Sequence, residues 1–145
     1  MHKINTWEGR LVNKNMKYLV IGDVHADYLP FKRAVNFATE NDLHLICVGD
    51  LIDNGEDGAI CVSEMLKLLE TGKATMIKGN HEHKIIRHLN GANVLLGPPN
   101  MVTLNQMETD KLFEHEFRQM VEEYCQEYVK LNDTLYFTHG GMHQD

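Results

Sequence analysis

Four short apolar runs punctuate the chain: KYLVIG over residues 17–22, LHLICVG over 43–49, ATMIKG over 74–79 and TLYFTHG over 134–140. Each closes on a glycine. Apolarity within each is continuous rather than alternating, the mark of a strand covered on both faces. Between the first two runs, Phe31, Ala34, Val35 and Ala38 recur at helical spacing, with Pro30 where a first helical turn tolerates it. Residues 57–72 repeat that spacing through Cys61, Met65, Leu66 and Leu69 and stop at Gly72. Strand, helix, strand, helix, strand predicts an α/β unit with right-handed crossovers and a largely parallel core. Further on, Phe113, Phe117, Met120, Val121, Tyr124 and Tyr128 share one face of a single predicted surface helix over 109–131. His115, between Glu114 and Glu116, belongs to its solvated side, and GPPN at 97–100 predicts a loop ahead of it. No repeat or linker interrupts the pattern, so residues 1–145 are expected to form one domain.

Composition narrows the chemistry. A chain of 145 residues can bury a core without a staple, so a metal would serve function rather than folding. The formal charge of −7 argues against binding nucleic acid by phosphate neutralisation alone. Cys47, Cys61 and Cys125 are odd in number and widely spaced, which favours reduced thiols and a cytoplasmic location over a disulfide framework. No apolar run approaches the roughly 18 residues of a membrane span, and MHKINTWEGRLVNKN lacks the apolar core of a signal peptide.

The polar residues that follow the four runs carry the candidate chemistry. They read GDVH, GDLIDNG, GNHEH and THGG. One Asp or Asn after a strand is ordinarily a turn former or helix cap, and one His is ordinarily a surface residue. Four such loops at one sheet edge are different, because the carboxyl ends of parallel strands converge on a single crevice. That crevice would gather Asp23, His25, Asp50, Asp53, Asn80, His81 and His139. Three carboxylates so close would repel one another, and a bound cation removes the conflict. Carboxylate and amide oxygens with imidazole nitrogens, and no thiolate, suit Mn²⁺, Fe or Zn²⁺. A pair of metals needs a bridging carboxylate, for which Asp50 in the central loop is the candidate. The Gly-Lys pair of ETGKAT lacks phosphate-loop spacing and reads as a turn.

In these blocks the sequence resembles the calcineurin-like metallophosphoesterases. Their signature of GD-x-H, GD-x-x-D-x-G, GNH[DE] and a later His-Gly segment stands here as Gly22-Asp23-Val24-His25, Gly49 to Gly55, Gly79-Asn80-His81-Glu82 and His139-Gly140-Gly141. The pattern is most similar to the phosphoprotein phosphatase branch, the serine/threonine phosphatases. The stretches GNHEHKIIRHLNGANV, TLNQME and YVKLNDTLYFTHGGM are also similar to the phosphatase module of bacterial polynucleotide kinase-phosphatases. The resemblance implies an αββα sandwich and a hydrolase with two divalent metals, Mn²⁺ foremost. Its substrate would be a phosphomonoester, on a phosphoprotein or at a nucleotide or nucleic-acid end, attacked by a metal-activated water. Carried over by position, Asp23 and His25 would hold one metal, Asp50 would bridge, and Asn80 with His139 would hold the other. His81 would face the phosphate as proton donor, oriented by Asp53.

Three departures stand out. Ala26 replaces a glycine. Asn54 replaces the arginine with which these relatives grip phosphate, leaving Arg87 or Lys84 as the candidate substitute. The chain stops at HGGMHQD, ahead of the downstream histidine motif of these relatives, and His143 stands too close to His139 to be taken as its equivalent. The second sheet is therefore expected to be incomplete, with an exposed apolar face and a homo-oligomer as its consequence. The competing expectation is a catalytically impaired metal-binding regulatory or scaffold protein.

Overall fold

The computed structural model describes residues 16–140. MHKINTWEGRLVNKN, together with Gly141 and His143, lies outside them. Three strands, β1 (Tyr18–Ile21), β2 (His44–Cys47) and β3 (Ala74–Met76), form a parallel sheet in that order. Tyr18 pairs with His44 and Ile21 with Cys47; Leu45 pairs with Ala74 and Cys47 with Met76. The crossovers are α1 (Tyr28–Glu40) and α2 (Gly58–Glu70). β2 is central and buried throughout, which accounts for the unbroken apolarity of its run. Into the core beside the sheet α2 turns Cys61, Val62, Met65, Leu66 and Leu69, all buried, while α1 contributes Phe31, Val35 and Ala38. Full burial of each large aliphatic side chain stabilises the fold by about 1.5–3 kcal/mol.

Beyond β3 the chain continues as α3 (Asn80–Leu89), α4 (Pro98–Thr109), α5 (Lys111–Gln119) and a π-helical turn over Met120–Tyr124. The 97–100 segment is not a loop. Pro98 and Pro99 occupy the first turn of α4, where a missing N–H costs nothing, and Asn100 Oδ1 accepts the Gly97 N–H at 2.8 Å. The single helix expected over 109–131 is also shorter than its apolar spacing suggests. Asp110 caps α5 by accepting the Phe113 N–H at 3.0 Å, and Phe113 and Phe117 are fully buried. The π turn then closes on a Cys125 N–H to Met120 carbonyl bond, and Tyr128 belongs to a strand.

That strand, β4 (Tyr128–Lys130), pairs antiparallel with β5 (Tyr136–Thr138), so the fourth apolar run forms a strand outside the parallel sheet. A parallel bridge between Ile77 and Gln126 joins the two sheets. Gln126 N–H reaches the Met76 carbonyl at 2.9 Å, and Lys78 N–H reaches the Gln126 carbonyl at 2.8 Å. Val129 packs with Ile46 and Ile77 at that junction, which carries β5 back toward the ends of β2 and β3.

A candidate dinuclear metal centre

The loops after β1 and β2 are bonded to each other along their length. Asp23, His25 and Ala26 donate main-chain N–H to the carbonyls of Gly49, Asp50 and Leu51 at 3.3, 2.9 and 2.8 Å. Gly55 N–H returns to the His25 carbonyl at 3.1 Å. This close pairing imposes unusual backbone. Of the seven non-glycine residues with positive φ among the described residues, six lie in these two loops: Asp23, His25, Ala26, Asp50, Asp53 and Asn54. Left-handed backbone costs an L-residue about 1–2 kcal/mol, so the surrounding bonds hold these loops in an arrangement that their local preferences resist.

The third loop enters through Gly79 and the start of α3. Gly79 has φ −79°, so positive backbone geometry does not explain it. Space does. A Cβ there would collide with the Asp50 carboxylate and main-chain nitrogen and with the Glu82 carboxylate. Glu82, wholly buried, accepts the N–H groups of Asp50 at 2.7 Å, Leu51 at 2.9 Å and Gly79 at 2.9 Å. It thereby ties the β2 and β3 loops together. Burial raises the Glu82 carboxyl above the ordinary carboxylate range, and the three N–H donors pull the other way.

Asp50 sits at the centre of the cluster, 5% exposed. Its Oδ1 accepts the His81 N–H at 3.1 Å, and its Oδ2 lies 3.9 Å from His25 Nε2 and 3.3 Å from His139 Nε2. Both of those rings are turned the same way. His25 donates Nδ1–H to the Ile52 carbonyl at 3.1 Å, and His139 donates Nδ1–H to the Val48 carbonyl at 2.8 Å. Each therefore points an Nε2 lone pair at the Asp50 carboxylate. Main-chain carbonyls that fix a tautomer in this way are a regular companion of metal-ligating histidine. Asn80 Oδ1 lies 2.7 Å from His139 Nε2 as well, an acceptor against an acceptor. Turning the amide over lets its nitrogen donate to His139 Nε2 and Asp50 instead. A cation would accept the same lone pairs without that turn. Two ligand groups follow, His25, Asp50 and His81 in one and Asp23, Asp50 and His139 in the other, each with atoms within 4.8 Å of one another. Asp50 belongs to both. The donor set of carboxylate, imidazole and amide oxygen fits divalent cations of borderline hardness.

His81 stands apart from the other imidazoles in its support. Its Nδ1–H donates to Asp53 Oδ2 at 2.7 Å, its ring packs edge-on against His25 at 4.9 Å between centroids, and Asp53 is fully buried. Asp53 also accepts from Asn100 Nδ2 at 2.7 Å and from Thr103 Oγ1 at 2.5 Å. A cavity of about 160 Å³ opens beside His81, lined by Asn80, His81, Lys84, Gly97, Pro99 and Asn100.

The structure thus gathers Asp23, His25, Asp50, Asp53, Asn80, His81 and His139 at one end of the parallel sheet. Arg87 is exposed in the last turn of α3 and does not line that cavity, whereas Lys84 does. Asn54 is exposed, its N–H bonded to the Pro99 carbonyl at 3.3 Å. Asn100 was not anticipated, because a 97–100 segment that reads as a loop offers no face on which to place it, and Thr103 was visible only as the first letter of TLNQME, with no role attached. Glu82 was visible only as a letter of its motif; its spacing three residues after Gly79 is the signal of a helix-start carboxylate.

Residues 16–144 match the family model described as calcineurin-like phosphoesterase. The chain is 30% identical over 89 residues to an asymmetrical bis(5'-nucleosyl)-tetraphosphatase of Anoxybacillus flavithermus, covering 54% of this chain and 36% of that protein. It is 38% identical over 77 residues to serine/threonine-protein phosphatase 1 of Salmonella typhimurium, covering 50% of this chain and 33% of that protein. The chain spans about a third of the length of these relatives. No helix among the described residues is long and apolar enough to cross a membrane.

Proposed function

The chain belongs to the calcineurin-like phosphoesterase family, and from that premise we propose that it is a metal-dependent phosphomonoesterase. Asp23, His25 and Asp50 would hold one divalent cation, and Asp50, Asn80 and His139 a second, with Mn²⁺ the first candidate. Bound there, the cations would acidify a water and neutralise charge on the phosphoryl oxygens. The observation that carries this reading is the membership of Asp50 in both ligand groups, since a shared carboxylate is what a paired site requires. Those groups set His81 with His25 and Asp23 with His139; the partition between the two cations, and the release of His81 for proton delivery, follow the family resemblance instead.

The protein's own part is orientation and proton delivery. His81 donates Nδ1–H to Asp53, which leaves Nε2 as the atom presented to the site. In its protonated form His81 hands the Nε2 proton to the leaving oxygen as the ester bond breaks. Lys84 supplies a cation to the adjacent cavity, taking the place that Asn54 cannot fill. One relative bears the name of a tetraphosphatase and the other that of a protein phosphatase, so nucleotide and phosphoprotein substrates are both in view.

Hydrolysis of an aryl phosphate, a phosphopeptide and a nucleotide phosphate, with and without Mn²⁺, tests the proposal. Turnover that rises with Mn²⁺ and disappears with a chelator is the expected result. Stoichiometric Mn²⁺ binding without turnover on any of the three would favour a metal-binding regulatory protein instead.

A further inference from the structure

Burying a carboxylate is tolerable only where donors replace the water it loses, and Asp53 is fully buried. Beside His81, both replacement donors come from α4, a helix outside the ligand cluster. Asn100 Nδ2 bonds to Oδ2, the oxygen that also receives His81, and Thr103 Oγ1 bonds to Oδ1. Three residues apart, the two side chains share one helical face, 2% and 1% exposed. Asn100 is itself held, because its Oδ1 takes the Gly97 N–H at 2.8 Å. Its nitrogen is then left to face Asp53. With both oxygens engaged, turning the Asp53 carboxylate would break these bonds, and the ring bonded to it is held through the same contact. Apolar side chains would fill the same volume without desolvating an amide and a hydroxyl, so packing alone does not account for this pair.

We propose that Asn100 and Thr103 are positioning residues for proton transfer: they fix Asp53 so that His81 Nε2 stays aligned with the leaving oxygen. The effect of this bracket should be greatest on phosphate esters of alkanols, whose leaving oxygens are strongly basic. The inference rests on the reading of His81 as proton donor. In the step concerned, a water oxygen bonds to phosphorus and the ester P–O bond breaks with its electron pair on the leaving oxygen. That oxygen takes the proton from Nε2. The proton shed by the attacking water passes to solvent, from which His81 is reprotonated. An aryl phosphate with an acidic phenol leaves without a proton, so the two ester classes separate proton positioning from the rest of the site.

The test compares glycerol 2-phosphate with 2,4-dinitrophenyl phosphate at saturating Mn²⁺, using wild type, Thr103→Val, Thr103→Ser and Asn100→Ala. Thr103→Val and Asn100→Ala are expected to lower kcat on the alkyl ester about 10- to 100-fold and on the aryl ester by less than about threefold. For Thr103→Val, at a position outside the cavity lining, KM and calorimetric Mn²⁺ affinity should stay near wild type, and Thr103→Ser should restore the alkyl activity. Equal losses on both esters in Thr103→Val, with Thr103→Ser no better, would overturn the proposal. A second readout needs no turnover: the His81 Nδ1–H proton, followed by NMR, should exchange with solvent at least about tenfold faster in Thr103→Val than in wild type or Thr103→Ser. Unchanged exchange would overturn the bracket. Should wild type hydrolyse neither ester, the functional reading falls, and the exchange rates still decide for or against the bracket.

Discussion

Glu82 and Asp50 hold each other's loops. Glu82 Oε1 accepts the Asp50 N–H at 2.7 Å, while Asp50 Oδ1 accepts the N–H of His81, the residue next to Glu82, at 3.1 Å. Glu82→Ala would leave the N–H groups of Asp50, Leu51 and Gly79 buried without an acceptor, at about 1–3 kcal/mol each before relaxation. A net loss of about 3–5 kcal/mol in urea unfolding is expected. Charge adds a pH dependence in metal-free protein. Glu82 keeps its proton to higher pH folded than unfolded. Relative to Glu82→Gln, wild type is therefore most stable below the ordinary carboxylate range and loses that advantage as pH rises through Glu82's raised value. Unfolding of both proteins across that interval should show the difference declining with pH.

Gly79 and Gly91 offer a contrast between space and backbone. Around Gly91, with φ +88°, a Cβ would meet nothing within 4 Å. Gly91→Ala therefore carries backbone strain alone, about 1 kcal/mol. Gly79→Ala has to displace Asp50 and Glu82, with an expected cost of about 2–4 kcal/mol. Thermal unfolding ranks the two, and calorimetry should show weakened Mn²⁺ binding only for Gly79→Ala.

The two roles proposed around Asp50 separate by substitution. His81→Asn should reduce kcat by about 10²–10⁴-fold and leave Mn²⁺ affinity nearly intact. Asp50→Ala should abolish turnover and weaken both metals. Calorimetric titration beside the phosphatase assay checks this, and equal metal loss in both variants would sink the assignment.

Lys84 and Arg87 differ by position. Lys84→Gln should raise KM by about tenfold, the cost of one charged hydrogen bond to phosphate. Arg87→Gln should leave KM within about twofold, as an exposed charge outside the cavity lining predicts. Steady-state kinetics on one substrate compares them directly.

The cysteines should be inert. Burial pushes the Cys47 and Cys61 thiols up to about 12, and the thiolate is the reactive form. At pH 8 a disulfide reagent should modify neither in the native protein, while urea should expose both within the same assay. Rapid native labelling at either position would contradict the burial.

The gathering of the candidate ligands was legible because they follow glycine-ended apolar runs, and a parallel sheet brings such ends together. β1, β2, β3 and their crossover helices appear within a few residues of where periodicity puts them. The fourth run was legible as a strand but not as half of an antiparallel pair, since pairing partners leave no mark within a single apolar run. β4 was hidden for a related reason: Tyr128 continues the helical spacing of Phe117, Val121 and Tyr124, and tertiary pairing with β5 overrides it. Asn100 was hidden by Pro98 and Pro99, which mark a turn and the first turn of a helix equally well. The resemblance supplied what spacing cannot, an expected role for each candidate ligand.

His139 meets Val48 across 91 positions of chain and Asn80 across 59. Closing loops of that length costs more entropy than the shorter closures that pair β1, β2 and β3, so docking of the β5 end is expected to follow formation of that framework. Asp23, His25, Asp50 and Asn80 are closer to one another along the chain, and His139 is the candidate ligand that depends on the longest closures. Cation affinity is expected to track the docking of β5, so a substitution that loosens β5 should weaken Mn²⁺ binding without touching the other four side chains.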